Sequence, residues 1–129
     1  MASEDVSAQI LALERRALDR WGKGDPDGFL EINDPDVVYF DPFQPARIDG
    51  LPALRQLYNE WRGKIRIDSY EIVDPKVQVH GDVAILTFRF VSQGSESKMH
   101  WNTTEIYRRR EEGWRIIHSH WSFTQPKLA

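Results

Sequence analysis

The first half of the chain follows a helical period. Apolar residues recur three and four positions apart between Ser3 and Gly22, which predicts a first helix over that range. A second, short helix is expected after Asp25-Pro26, because an aspartate followed by a proline is a common helix start. A third helix is expected from Leu51 to Trp61, where the apolar side chains again fall on one stripe.

After Gly63 the period changes from helical to two, which is the period of a strand. Strands are expected, in order, over about 37–41, 66–80, 82–93, 97–110 and 114–123. Helices followed by long antiparallel hairpins predict an α+β fold, with one domain covering residues 1–129.

The last hairpin predicts which side chains share a face of the sheet. A three-residue loop over 111–113 would pair Arg110 with Trp114. Counting back from the loop, one face would then carry Tyr107, Glu105, Thr103, Ile117, Ser119 and Trp121. We expect this face to line a pocket.

The same parity, applied to the preceding hairpin, places Thr87 and Arg89 on the pocket face beside Trp101. The opposite face would carry Phe88, Phe90, His118 and His120. A sheet with two apolar faces needs two covers, which would be the helices on one side and a second subunit on the other. The sequence therefore predicts a homodimer that uses this second face.

Composition narrows the classes of partner. The net charge of -3 offers no broad attraction to nucleic acid or to an anionic membrane. The chain contains no cysteine, which excludes disulfides and thiolate metal sites. No apolar run approaches the length of a membrane span, and the acidic, polar N-terminus is unlike a secretory signal, so a cytoplasmic location is expected.

Asp41, followed by Pro42-Phe43, is the main candidate for chemistry. An acid at the end of a strand, held by a proline turn, can face a pocket and serve as a general base. The alternative is a turn residue that accepts backbone hydrogen bonds. Glu105 is the second candidate acid, and Arg89, if it points inward, would either neutralise one carboxylate or orient an anionic ligand.

His118 and His120 have a spacing that can bind a metal ion. Neither His80 nor His100 is obviously placed to supply the third ligand. We therefore expect the pair to belong to the dimer interface, and we expect neither a metal nor a cofactor.

Two segments resemble known families. The segment Asp41–Gly50 (DPFQPARIDG), with Tyr58 on the next helix, is similar to bacterial ketosteroid isomerases. The segment Trp114–Ser122 (WRIIHSHWS) is similar to the association (hub) domain of calcium/calmodulin-dependent kinase and to SnoaL-like bacterial proteins. The whole chain thus resembles the nuclear transport factor 2-like superfamily. This resemblance implies a cone-shaped (cystatin-like) fold, in which three N-terminal helices pack on a strongly bent antiparallel sheet around a pocket.

The isomerase resemblance implies a role for several residues. Asp41 falls on the general base and Glu105 on the acid that donates to the developing oxyanion. Tyr58 falls on a supporting tyrosine, and Trp121 falls on the pocket wall.

The isomerase pattern is broken at two positions. Ala17 stands where the oxyanion tyrosine belongs, and Asn33 replaces a further supporting tyrosine. Hub pockets hold a carboxylate with arginines, of which Arg89 would retain one.

Two hypotheses follow. In the first, each subunit of a homodimer binds a small apolar or carboxylated molecule, and Asp41 and Glu105 carry out cofactor-free proton transfer next to a carbonyl, as in isomerases and SnoaL-like cyclases. The pocket would be formed by Tyr58, Thr87, Arg89, Trp101, Thr103, Ser119 and Trp121. In the second, the chain is a non-catalytic ligand-binding or association module.

Overall fold

The computed structural model describes residues 3–95 and 97–124. The elements in chain order are α1 (Ser3–Trp21), α2 (Asp27–Leu30), β1 (Asn33–Phe40), β2 (Ile48–Asp49), α3 (Leu51–Trp61), β3 (Ser69–His80), β4 (Val83–Gln93), β5 (Lys98–Arg110) and β6 (Gly113–Phe123). The three helices and the four long strands lie within a few residues of their expected positions. β1 begins earlier than expected, and β2 lies in a segment for which the sequence predicted no strand.

The strands form one sheet of six in the order β2-β1-β6-β5-β4-β3. β3 to β6 form a meander of antiparallel hairpins, and β1 pairs in parallel with β6. α1 packs against β3 and β4, and α3 packs against β1 and β2. Bulges interrupt β3 between Val73 and Lys76 and β6 at Ile117, and such bulges bend a sheet around its contents. The α+β fold class is therefore confirmed.

The hairpin between β5 and β6 departs from the expected register near its turn. Arg110 pairs with Gly113 rather than with Trp114, and Tyr107 pairs with Ile116. Because the loop has two residues instead of three, every pair next to the turn is displaced by one position.

Ile117 cancels this displacement, because it is the extra residue of the bulge in β6 and opposes no residue of β5. The expected pairing of Tyr107 with Ile117 is therefore wrong. Beyond the bulge Glu105 pairs with Ser119 and Thr103 with Trp121, as predicted.

The face assignment of β4 is wrong. Phe88 pairs with Thr103 and Phe90 with Trp101, so both phenylalanines lie on the inner face, while Thr87 and Arg89 lie on the outer one. The physical reason is the loop over positions 94–97. This loop has an even number of residues, so even-numbered residues of β4 pair with odd-numbered residues of β5. Between β5 and β6, beyond the bulge, odd-numbered residues pair with odd-numbered ones, and the same parity does not apply to β4.

The hydrophobic core fills the space between the helices and the inner face of the sheet. Its fully buried members include Ile10, Leu18, Leu54, Leu86, Tyr107 and Ile116. Full burial of each such side chain contributes about 1.5–3 kcal/mol, which makes the closure of the sheet over the helices favourable. None of the described helices is both long and apolar enough to cross a membrane.

An ion pair ties the start of β1 to the end of β5. Arg110 Nε lies 2.7 Å from Asp34 Oδ1, and the Asp34 side chain is 2% exposed. The hydrogen bond from Arg110 holds the pKa of Asp34 below its usual range. Arg110 is thus part of the fold, while Arg108 and Arg109 are exposed, as expected for a hairpin end.

Candidate functional site

A half-enclosed cavity of about 770 Å³ opens between the inner face of the sheet and the helices. Its volume is that of a small-molecule site. Aromatic side chains from both halves of the chain dominate its wall, namely Tyr39, Tyr58, Trp61, Phe90, Trp101 and Trp121. The inner register explains this wall, because Phe90, Trp101 and Trp121 lie side by side on three neighbouring strands.

Asp41 follows β1 directly and lies on the cavity wall with 9% of its surface exposed. Its Oδ2 accepts a hydrogen bond from the Tyr39 hydroxyl at 2.7 Å, and its Oδ1 accepts one from the Phe43 backbone N–H at 2.7 Å. The turn interpretation and the cavity interpretation therefore both hold. The turn at Pro42 directs the Asp41 carboxylate toward the cavity, and the two hydrogen-bond donors fix its position.

Tyr39 was not singled out from the sequence. It lies near the end of β1, two residues before Asp41, so both side chains are directed to the same side, and this spacing was the available signal. Its ring meets that of Tyr58 edge to face, with centroids 5.6 Å apart. Burial raises the pKa of both phenols well above the ordinary value, so both hydroxyls stay protonated and can donate.

Glu105 lies behind the cavity wall instead of on it. The side chain is fully buried, and one carboxyl oxygen, Oε1, accepts a hydrogen bond from the Ser119 hydroxyl. The indole N–H of Trp121, which does line the cavity, donates to Ser119 Oγ at 3.2 Å. Burial raises the pKa of Glu105 well above its usual range, with the neighbouring Glu14 as the second cause.

Glu14 is a buried acid that the sequence analysis missed. It is fully buried in α1, and the Tyr107 hydroxyl donates to its Oε1 at 2.7 Å. Burial raises the pKa of Glu14 to about 7. A signal was present, because Glu14 stands four residues after Ile10 and four before Leu18, on the apolar stripe of α1.

The other residues expected in the pocket are distributed over the inner and outer faces of the sheet. Thr103 is buried on the inner face between Phe88 and Trp121, and its hydroxyl has no hydrogen-bond partner within residues 3–95 and 97–124. Thr87 and Arg89 lie on the outer face, where they border a shallow depression beside the β3 bulge. Their expected place in the pocket is therefore wrong, for the reason of loop parity given above.

Two of the four residues expected at the dimer interface lie in the interior instead. Phe88 and Phe90 pack edge to face on the Trp121 ring, with centroids 6.0 and 5.5 Å away, and so belong to the interior. His118 and His120 do lie on the outer face, where the Phe40 ring is 5.1 Å from that of His120. Burial lowers the pKa of His118. In the part of the chain that the structure describes, no group of three potential ligands is placed to hold a metal ion.

Ala17 and Asn33 make local contacts within the fold. Ala17 is buried where α2 meets α1, and a Cβ atom added at Gly28 would lie 3.1 Å from the Ala17 Cα. The Asn33 amide donates to the backbone oxygen of Phe29 at 2.7 Å. Neither position therefore offers a hydroxyl to the cavity.

Comparison with known proteins agrees with this geometry. The family model of the SnoaL-like domain matches residues 10–126. A crystal structure of a candidate ketosteroid isomerase from Parabacteroides distasonis is 40% identical, with 91% of this chain and 86% of that chain covered and a TM-score of 0.82. Among curated proteins no match is found.

More distant structures share the fold. A nuclear transport factor 2-like protein of unknown function from Pseudomonas putida is 23% identical over 95% of this chain and 88% of its own, with a TM-score of 0.83. The calcium/calmodulin-dependent kinase II hub of S. rosetta is 23% identical over 89% of this chain and 94% of its own, with a TM-score of 0.74. The nuclear transport factor 2-like fold expected from the sequence is thereby confirmed.

Proposed function

Since the chain belongs to the SnoaL-like domain family, we propose that it binds a small, flat, mostly apolar molecule in the cavity and that Asp41 moves a proton next to a carbonyl of that molecule without a cofactor. The observation that carries this proposal is a carboxylate on the wall of an aromatic cavity, oriented by the Tyr39 hydroxyl and the Phe43 N–H. The likeness to a candidate ketosteroid isomerase from Parabacteroides distasonis supports the same reaction class.

The reaction is a proton transfer in two steps. Asp41 takes a proton from the carbon next to the carbonyl, the C–H electron pair moves into an enolate, and Asp41 becomes a neutral acid. Asp41 then returns the proton to a carbon of the same molecule. The two hydrogen bonds to Asp41 hold the carboxylate in place, which reduces the cost of orienting it in each cycle.

The enolate oxygen needs a donor, and Ala17 cannot be one. Glu105 does not reach the cavity itself, because it is fully buried, and its hydrogen bonds lead to the wall through Ser119 and Trp121. Hydroxyls on the wall come from Tyr39, which is engaged with Asp41, from Tyr58, and from the serines at the far end of β4 and in the loop after it, Ser92, Ser95 and Ser97. We propose Tyr58 as the donor to the oxyanion, because its ring packs against that of Tyr39 beside Asp41 and its raised pKa keeps the hydroxyl protonated.

The wall and the rim suggest the class of ligand. The aromatic wall suits a flat apolar body. Lys64 and Arg66, from the segment between α3 and β3, line the same cavity and can attract a carboxylate of the ligand, with Arg66 already paired to Asp68 at 3.0 Å. These two cations replace Arg89, which lies on the outer face, as the proposed partners of an anionic group.

Hydrogen–deuterium exchange tests the chemistry without knowledge of the natural ligand. The flat bicyclic ketone 2-tetralone would be incubated with the protein in heavy water, and exchange at its activated carbons followed by NMR. We expect Asp41→Asn to lower the protein-dependent exchange rate about a hundredfold while tryptophan quenching by the ketone persists. Asp36→Asn, an exposed carboxylate of β1, is the matched control and should exchange as the wild type does. Equal rates for the wild type and Asp41→Asn would refute the mechanism.

A second candidate function is that of an association module, which the outer face of the sheet supports. Phe40, Ile106 and His118 lie there on three adjacent strands and are only half-buried in the monomer. The likeness to a hub domain points in the same direction. We propose a homodimer through this face, with His120 alongside.

Light scattering tests this assembly. Ile106→Glu should shift the wild-type dimer to monomer, because the new charge would be buried in the interface without a partner. Gln56→Glu, on the exposed side of α3, is the control and should leave the mass unchanged. A wild-type monomer at all concentrations would contradict the proposal.

A further inference from the structure

We propose that Glu14 and Glu105 form a carboxylic acid–carboxylate pair that shares one proton behind the cavity wall, with Glu14 as the positioning residue that keeps this proton on Glu105. The pair joins α1 to β5. It does not depend on whether Asp41 is catalytic.

The hydrogen bonds of the two side chains define the pair. Each carboxyl group has one oxygen occupied, Glu14 Oε1 by the Tyr107 hydroxyl and Glu105 Oε1 by the Ser119 hydroxyl. The second oxygen of each, Oε2, is buried and has no partner among the described residues when both groups are treated as acceptors. The two side chains lie within hydrogen-bonding reach of one another.

A single proton shared between the two Oε2 atoms gives both of these oxygens a hydrogen-bond partner. An ionised carboxylate can only accept, so two of them would leave buried oxygens that repel each other. A protonated carboxyl group donates, and a proton on one Oε2 makes a donor for the other. Glu105 holds this proton more tightly, because burial raises its pKa well above the usual range, whereas that of Glu14 is raised only to about 7.

Among residues 3–95 and 97–124, no lysine, arginine or histidine shifts the pKa of Glu14 or Glu105. Tyr107 of β5 hydrogen-bonds to the pair, and the charge of the pair reaches Tyr58 of α3 and Tyr70 of β3. All three phenols have a raised pKa and are neutral. A proton is therefore the means by which these residues offset a buried negative charge, since a lone buried carboxylate is costly.

The pair is connected to the cavity. Ser119, which donates to Glu105, itself accepts from the indole N–H of Trp121 on the wall. The Tyr58 hydroxyl is affected by the charges of Glu105, Asp41 and Glu14. When Glu14 loses its proton near neutral pH, a negative charge develops behind the wall and disfavours an anionic ligand on the other side.

A carbon-13 titration of the glutamate carboxyl groups tests the pair directly. In the wild type, two of these carbons should remain protonated well above the ordinary range for glutamate, near pH 4.3, where the exposed ones ionise. Glu14→Gln should remove one signal and lower the titration midpoint of Glu105, because the negative neighbour is gone. Glu71→Gln, exposed on β3, should remove an ordinary signal and leave the pair unchanged.

Two results would overturn the proposal. One is a wild type in which every glutamate ionises in the ordinary range, a measurement that requires no variant. The other is a Glu105 midpoint that does not move in Glu14→Gln. If that variant does not fold, Glu105→Leu, which removes the donor to Glu14, serves in its place; the Glu14 midpoint must then rise, and a midpoint that falls would overturn the proposal.

Discussion

Replacing Glu14 with glutamine should make the protein less sensitive to alkaline pH. The pKa of Glu14 is raised from 4.5 to about 7 by burial, so the folded state binds its proton more tightly than the unfolded state does. Below about pH 4.5 both states are protonated and the group adds no pH dependence. As the pH rises toward 7, the unfolded state loses its proton first, and the free energy of unfolding falls.

The size of the effect follows from the shift. At about 1.4 kcal/mol per pH unit, a change from 4.5 to about 7 amounts to roughly 3 kcal/mol of stability lost by about pH 8. Glutamine keeps the shape of the side chain and an acceptor for the Tyr107 hydroxyl, but it carries no charge to bury. Glu14→Gln should therefore match the wild type near pH 5 and exceed it by about 3 kcal/mol near pH 8.

Urea unfolding followed by tryptophan fluorescence measures this difference, since the chain contains five tryptophans. Contributions common to both proteins cancel in the comparison, whereas the fall in the Glu105 pKa in Glu14→Gln adds to the expected difference in the same direction. One of the common contributions is that of His118, whose lowered pKa makes stability rise with pH until its unfolded-state pKa is passed. Glu71→Gln, an exposed change of the same type, controls for the loss of net charge. A stability difference between Glu14→Gln and the wild type that is the same near pH 5 and near pH 8 would refute the reasoning.

Three further predictions concern single contacts. Asp34→Asn should cost about 1–3 kcal/mol in urea unfolding near pH 7. Because Arg110 lowers the Asp34 pKa, the wild-type advantage should be present above about pH 4 and disappear as acid protonates Asp34 in the folded state. Gly28→Ala should lower the thermal midpoint, since its Cβ would lie 3.1 Å from the Ala17 Cα, and an unchanged midpoint would show that the helices can separate freely. Tyr39→Phe should slow ketone exchange about tenfold, less than Asp41→Asn does, because Asp41 would keep the Phe43 N–H but lose one donor.

The local pattern of apolar and polar residues predicted much of the fold. The helical stripes of α1 and α3 and the period of two after Gly63 depend only on neighbours in the chain, and they were enough to place these elements. The position of Asp41 at the end of a strand was also readable, because a proline stops the alternation there. The resemblance of two short segments to known families led to the right fold.

The tertiary structure decided the faces of the sheet. A strand pattern repeats every two residues, so a single extra residue in a loop or a bulge exchanges the inner and outer sets. The loop over 94–97 did this for β4 and moved Arg89 to the outer face and Phe88 to the inner one. In β6, the bulge at Ile117 cancels the one-residue shift that the shorter turn introduces. Glu105 and Trp121 therefore lie on the predicted face of the sheet, although the turn itself was predicted wrongly.

The acid pair shows the same division most clearly. The sequence alone showed that Glu14 falls on an apolar stripe and that Glu105 alternates with core residues, and each is an ordinary acid by itself. Their chemistry arises only when α1 packs on the inner face of the sheet, because burial and proximity are properties of the packed molecule. What the sequence determined is the set of local elements and the acid at the end of β1. What the packing decided is which side chains meet, since that depends on register and on contacts between residues far apart in the chain.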